Sequence, residues 1–292
     1  MKVLIISAND CRIPPIYPEG PFFIAKQIEA KHQVKIISVE FYGFQGIKTY
    51  INDFKPDLIM VSIRNIMNFN EETKKIVDYI KSLKFPYLVG GPAISVFQNH
   101  ARNFLDVPKD RIFIGEFESQ ISKIFPDIKN IYDMVKIKIP DGSFLHYTDK
   151  KILEKNRVFG IDCKRGCPFK CIYCSYPYLS GSFFRKRNPK SVIENIKKLV
   201  KIGINNFFFS DSIFNVPKDY SLKICELIAK EKINANFGAF INPKGVGKEE
   251  AKIWKKINMK VELGVDSLSN KSLKIWNKPF VMKDVMRAIN LS

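Results

Sequence analysis

Short apolar runs alternate with amphipathic stretches through the first 128 residues. The runs KVLIISA (2–8), QVKIISVE (33–40), DLIMVSIR (57–64), PYLVGGP (86–92) and RIFIGE (111–116) read as strands. Helical spacing fills the intervals near 20–31, 46–54, 69–83 and 95–104. Five strands with four intervening helices predict a parallel α/β sheet, which binds ligands outside the carboxyl ends of its strands. The loops at those ends are Asn9–Gly20, Ser62–Asn70 and Gly90–Ser95. Ser62 and Asn65 put short polar groups at one strand end. Gly90 and Gly91 close another, where a missing side chain lets backbone approach a bulky ligand. An ordinary strand–turn–helix corner uses the same residue types. No G-x-G-x-x-G is present, so a dinucleotide is not indicated.

Residues 129–155 carry Asp141-Gly142 between two extended runs, a hairpin signal, and are read as a β-ribbon joining residues 1–128 to residues 156–292. Beyond it the βα alternation resumes. Ser191 and Glu194 form a capping box ahead of SVIENIKKLVKI. Strand INNFFFSDS, helix 217–231, strand ANFGAFIN, helix 247–257 and strand KVELGVDS follow, then helix 269–290 with a break near Pro279. Repeated βα units predict a parallel barrel, whose chemistry gathers at the carboxyl ends of the strands. Asp211 and Asn242 end two of these strands, and Glu262 and Asp266 lie on and after the next.

Composition fits two such domains. Hydrophobic residues make up 46% of 292, with 24 Phe, enough for two cores. Apolar runs such as LIMVS are too short to span a bilayer, and MKVLIISAND lacks the long apolar segment of a signal peptide. A cytoplasmic location follows as the expectation, and reduced clustered cysteines there suggest metal. The net charge of +19 is uneven: residues 156–292 hold 26 Lys+Arg against 11 Asp+Glu. Such a balance suits nucleic acid or an anionic ligand, or simply lysines on solvated helix faces. Those lysines are scattered, apart from the dense patch FFRKRNPK (183–190).

The sharpest signal is CKRGCPFKCIYC, four thiols in the twelve residues Cys163–Cys174. Cys167, Cys171 and Cys174 form C-x3-C-x2-C. Three thiolates on one loop can hold three irons of a cubane and leave the fourth open, and an open position makes a metal centre chemical rather than structural. A zinc knot using all four thiols is the alternative. Cys163 is then either a fourth ligand or a small buried residue. Cys225 lies on a helical pattern and reads as core, and Cys11 falls in a ligand-side loop.

Spacing, the Arg-Gly lead-in, Pro168 and aromatic Tyr173 together resemble the radical SAM signature. The order PPIYPEG, VSIRN, VGGPAIS and IGEFE resembles the N-terminal cobalamin-binding-type domain of many radical SAM enzymes. The resemblance implies a Rossmann-like (flavodoxin-like) sheet followed by a partial radical SAM (β/α) barrel. It implies a [4Fe-4S] cluster on Cys167, Cys171 and Cys174, with S-adenosylmethionine (SAM) chelating the free iron and cleaved to a 5'-deoxyadenosyl radical. Tyr173 inherits a place near the adenine. FFFSDSIFN resembles the second-strand motif F-x-D-D-x-F, and ELGVDS resembles E-x-G-x-E-S, which assigns Asp211, Glu262 and Asp266 to SAM. Ser62, Asn65, Gly90 and Gly91 are assigned to cobalamin. The D-x-H-x-x-G motif is absent and only His32, His100 and His146 exist, so no histidine is expected below the cobalt.

Methyl transfer to an unactivated carbon of a small-molecule or peptide substrate is the implied activity, with an electron donor of flavodoxin or ferredoxin type and no membrane. The family core has six βα units, and four are found before Ser292. This suggests a fragment, a truncated product, or a barrel completed by another chain. Two further readings stay open: an RNA-modifying enzyme resembling the methylthiotransferases, and a non-catalytic iron–sulfur protein.

Overall fold

Strand β1 (Lys2–Ser7) is buried at every position after Lys2. KVLIIS shows no alternation because a central parallel strand is covered on both faces. The computed structural model describes residues 1–8, 16–148 and 157–291. Cys11 and most of the Asn9–Gly20 loop lie outside them, as does the end of the 129–155 segment. The chain forms two units, one of residues 1–132 with 136–155, the other of 133–135 with 156–292.

In the first unit, β1 is followed by α1 (Glu19–Ile28), β2 (Gln33–Ser38), α2 (Val39–Phe54), β3 (Leu58–Ser62), α3 (Glu71–Ser82), β4 (Tyr87–Gly90), α4 (Pro92–Val96) and α5 (Gln98–Leu105). The sheet order is β2-β1-β3-β4, and every pairing is parallel. Strand order reverses between β1 and β3, the place where open α/β sheets carry a ligand crevice. Ser62 ends β3, and its carbonyl accepts from Ala8 N at 3.0 Å, closing that corner. Leu4, Ile6, Ile59, Val61, Ile76, Val77 and Ile80 belong to one buried cluster under the helices.

Two expectations for this unit are corrected. RIFIGE is not a fifth strand: Ile112 makes one isolated parallel bridge to Val89. Gly115 swings to φ +90° and gives its N–H to Ser95 Oγ at 3.0 Å, so the run cannot continue as a ladder. The β-ribbon expected over 129–155 has no strand among described residues 129–148. Asp141 instead caps the 3-10 turn Gly142–His146, accepting from Ser143 N at 3.1 Å. Asp-Gly serves a cap as well as a hairpin turn, and polar hooks decide the outcome here. Lys26 reaches Asp141 (3.2 Å) and Ser143 Oγ (2.9 Å), and Gln27 trades two hydrogen bonds with the Lys138 backbone.

The second unit contains β5 (Phe159–Ile161), β6 (Lys164–Arg165), α6 (Tyr176–Ser180), β7 (Arg185–Lys186), α7 (Pro189–Lys201), β8 (Asn206–Phe209), α8 (Lys218–Lys230), β9 (Asn236–Ile241), α9 (Lys248–Lys256), β10 (Met259–Leu263), α10 (Asn270–Ile275) and α11 (Met282–Leu291). Its main sheet runs β10-β9-β8-β5, all parallel and in chain order, the arrangement of a partial (β/α) barrel. Phenylalanines sort by strand parity. Phe207, Phe209 and Phe237 are buried and stack with ring centroids 5.7–5.9 Å apart, while Phe208 meets Phe240 on the other face at 5.0 Å. Helix α7 begins two residues before the expected capping box: Asn188 caps it by accepting from Lys190 N, with Pro189 in the first turn. The expected break near Pro279 separates α10 from α11. Among the described residues no helix is long and apolar enough to cross a membrane.

Candidate active site

The loop that bears the cysteines starts from a sealed ion pair. Lys164 and Asp211 are both 0% exposed, with Nζ 2.6 Å from Oδ2. Asp211 Oδ1 also accepts from the backbone N–H of Cys163 (2.9 Å) and Lys164 (3.0 Å), which ties the end of β8 to the chain leaving β5. Lys164 Nζ donates to Phe214 O at 3.0 Å and lies 5.5–5.9 Å from the rings of Phe184, Phe214 and Tyr220. A buried charge persists only when paired and hydrogen-bonded, and both partners meet that condition.

Next to this pair, Arg187 donates to Asp162 O, Asp162 Oδ2 and Met134 O, and Arg165 Nε also reaches Asp162 Oδ2. Burial pushes the Asp162 carboxyl up, but the two guanidinium groups outweigh it and hold it below its usual range. The two-residue ribbon β6–β7 pairs Lys164 with Lys186 and Arg165 with Arg185, closing the loop between them. Gly166 has φ +91°, and a side chain there would collide with the Phe183 carbonyl. Gly166 O accepts from Ser212 Oγ at 2.6 Å, and Cys167 N donates to Gly181 O at 3.0 Å.

Cys167, Cys171 and Cys174 line one cavity of about 210 Å³ near the carboxyl ends of β8, β9 and β10. Burial pushes the thiols of Cys167 and Cys171 up. For Cys167 the Phe169 N–H and Ser212 work in the opposite sense, and for Cys171 the Lys278 ammonium does. Cys163 is fully buried and does not line the cavity. Burial and the nearby Asp211 carboxylate push its thiol far up.

The remaining walls carry Tyr173, Ser212, Phe240, Asn242, Asp266, Lys278 and Phe280. Asn242 is held by a reciprocal amide link: Asn215 Oδ1 accepts from Asn242 N (2.8 Å), and Asn215 Nδ2 donates to Asn242 O (2.9 Å). Tyr173 OH donates to Asp266 Oδ2 at 2.6 Å. Lys278 Nζ pairs with the same carboxylate and lies 2.7 Å from Tyr173 OH. Burial pushes the Asp266 carboxyl up, but Lys278 and Tyr173 prevail and hold it below its usual range. Asp266 adopts φ +63°, a left-handed conformation that aspartate tolerates better than most residues.

Of the residues expected to serve SAM and the cluster, the structure brings Cys167, Cys171, Cys174, Tyr173 and Asp266 to one cavity. Asp211 and Glu262 stand outside that lining. Asp211 does not line it, because all its hydrogen bonds go to the base of the cysteine loop. Glu262 is an exposed residue of β10 outside that lining, yet it pairs in register with Phe240 and so shares the sheet face that Phe240 gives to the cavity. In the first unit, Ser62 and Asn65 sit at and after the end of β3, and Gly90 and Gly91 at the end of β4. Packing accounts for both glycines. A side chain at Gly91 (φ +111°) would strike the Ile63 backbone, and one at Gly90 would meet Phe113 at 3.3 Å. Lys164, Asn215 and Lys278 were not legible as site residues. The available signal for Lys278 was its place beside Pro279 after the fourth strand, where the chain breaks its helix.

Comparison with known proteins places these features. The model of the Radical SAM superfamily matches residues 161–292. The hopanoid C-3 methylase of Methylococcus capsulatus is 22% identical over 95% of this chain and 59% of its own length. The radical S-adenosylmethionine methyltransferase TsrM of Kitasatospora setae, solved with cobalamin and a [4Fe-4S] cluster bound, superposes with a TM-score of 0.80 at 17% identity. That match covers 99% of this chain and 66% of TsrM. The cobalamin-dependent enzyme OxsB, solved with aqua-cobalamin, gives a TM-score of 0.76 at 16% identity over 99% of this chain and 47% of OxsB. The chain thus spans less than two thirds of the length of these proteins. With its C-x3-C-x2-C loop at the mouth of a partial parallel barrel, the second unit is the part of this chain that matches the radical SAM superfamily.

Proposed function

We propose that the second unit holds a [4Fe-4S] cluster on Cys167, Cys171 and Cys174 and binds SAM in the adjoining cavity. We further propose that the first unit carries cobalamin at the carboxyl edge of its sheet, near Ser62, Asn65, Gly90 and Gly91, and that the activity is methyl transfer to an unactivated carbon. When bound, the cluster supplies the electron that cleaves SAM to methionine and a 5'-deoxyadenosyl radical, and cobalamin supplies the carried methyl group. The observation that carries the reading is that three loop thiols line one cavity while the fourth, Cys163, is fully buried outside it.

The rest of the cavity fits a zwitterionic, aromatic cofactor. Lys278 offers an ammonium to a carboxylate, and Asp266 a carboxylate to an ammonium or ribose hydroxyl. Phe240 and Phe280 offer apolar surface, and Asn242 is fixed by Asn215. Ser212, through Gly166, sets where Cys167 sits. The hopanoid C-3 methylase and the methyltransferase TsrM, solved with tryptophan as substrate, support methylation of a small molecule. A one-electron donor of flavodoxin or ferredoxin type and a reducing cytoplasmic setting complete the reading.

The test is anaerobic. The protein is reconstituted with iron and sulfide, then given dithionite and SAM, and 5'-deoxyadenosine is measured. The expected result is 5'-deoxyadenosine from the parent, and none from Cys167→Ala, Cys171→Ala or Cys174→Ala, each with depleted iron. A parent with a full cluster and no 5'-deoxyadenosine would overturn the proposal.

A further inference from the structure

The cysteine loop has an outer surface as well as the inner one that lines the cavity. Ile172 is 67% exposed and Ile275, at the end of α10, is 60% exposed. The two segments are clamped together. Ile172 N donates to Trp276 O at 3.2 Å, Asn277 Nδ2 donates to Lys170 O at 2.8 Å, and Tyr173 meets Trp276 edge-on at 6.1 Å. Lys170 and Lys274 are exposed on the same two segments. Cys171, one of the three cavity thiols, lies between Lys170 and Ile172 in the chain.

Its charge is one-sided. Residues 163–193 contain seven Lys and Arg and no Asp or Glu, and residues 267–283 contain four Lys and no Asp or Glu. Acidic neighbours of the loop are already engaged: Asp162 by Arg165 and Arg187, Asp211 by Lys164, and Asp266 by Lys278. A small apolar centre flanked by the exposed Lys170 and Lys274 suits a brief encounter with an acidic protein, in which charge sets the association rate and a few apolar contacts set the orientation.

We propose that the face made by Lys170, Ile172, Lys274 and Ile275 is the docking surface for a small acidic one-electron carrier protein, which delivers its electron to the cluster past Cys171. The proposal rests on the radical SAM reading of the second unit. One electron leaves the reduced carrier, which is oxidised by one equivalent, and enters the cluster, which is reduced by one. No atom is transferred.

The experiment compares the reconstituted parent with Lys170→Glu/Lys274→Glu, and with Lys170→Arg/Lys274→Arg as the conservative control. Iron content and tryptophan fluorescence verify that the variants are loaded and folded. The probe is reduced flavodoxin, an acidic flavin carrier, mixed with each protein in stopped flow without SAM, and cluster bleaching gives the second-order rate. The charge-reversal pair is expected to be slower by about 10-fold or more at low ionic strength, with the difference shrinking at high salt and the Arg pair behaving as the parent. Dithionite, which needs no docking face, is expected to drive 5'-deoxyadenosine formation equally in all three. Equal flavodoxin rates in parent and reversal pair would overturn the proposal. So would a loss of RNA binding in the reversal pair with flavodoxin reduction intact, which would make the face a nucleic-acid surface. Because cluster bleaching is read without SAM, the docking result stands apart from failure of the parent to cleave SAM, which would refute the functional reading alone.

Discussion

Replacing Lys164 by Met removes one half of the buried pair and leaves the Asp211 carboxylate in place. Both side chains are 0% exposed and 2.6 Å apart, so solvent cannot take over the lost contact. Asp211 keeps its two backbone donors on Oδ1 and loses its partner on Oδ2. Stranding a buried charge in this way costs about 3–5 kcal/mol. The assay is urea unfolding followed by tryptophan fluorescence. The chain has two Trp, Trp254 and Trp276, and both lie in the second unit, so the signal reports that unit alone. With a slope of about 2 kcal/mol per M, the midpoint should fall by about 1.5–2.5 M. Lys164→Met/Asp211→Asn removes both charges while the amide still accepts from Cys163 N and residue 164 N. It should recover part of the loss, with a coupling of about 1.5–3 kcal/mol between the two sites. A midpoint shift below about 0.5 M for the single variant, or strictly additive effects in the double, would refute the view that the pair is sealed and mutually dependent.

Two further outcomes follow from the same geometry. Cys163→Ala should retain the iron content of the parent while costing about 1 kcal/mol of stability for the small cavity it opens; iron loss would make Cys163 a ligand. Asp266→Asn tests the cavity wall by its pH dependence. The folded carboxyl is held below its ordinary value of 3.8, so its contribution is present above that value and is lost as pH falls through the lower folded value. Its side chain is 40% exposed, which limits the effect to about 1 kcal/mol at neutral pH. The difference in stability between parent and variant should be flat from about pH 5 to 8 and vanish in acid. A difference that grows on acidification would reverse the assigned sign.

The strands of both sheets were legible because buried parallel strands are short continuous apolar runs, as in KVLIIS and LIMVS. RIFIGE has the same character but fails as a strand, since Gly115 spends its N–H on Ser95 Oγ. The cysteine loop was readable because its chemistry depends on local spacing. The surroundings of Asp211 were hidden for the opposite reason: its partners Cys163 and Lys164 lie 48 and 47 residues away, and only the fold reveals that its acceptors are already taken. Lys278 was invisible for the same cause, being brought against Tyr173, 105 residues away, by the break between α10 and α11.

The short ribbon β6–β7 has a consequence for assembly. The ribbon pins both ends of the cysteine loop, and Gly166 and Ser212 lock its first turn, through bonds made by the polypeptide alone. In small metallodomains that fold only around their metal, much of the ion's binding energy goes into ordering the chain. Here the ends of the loop are held by the barrel's own backbone pairing, so removal of the inorganic core should leave the scaffold standing.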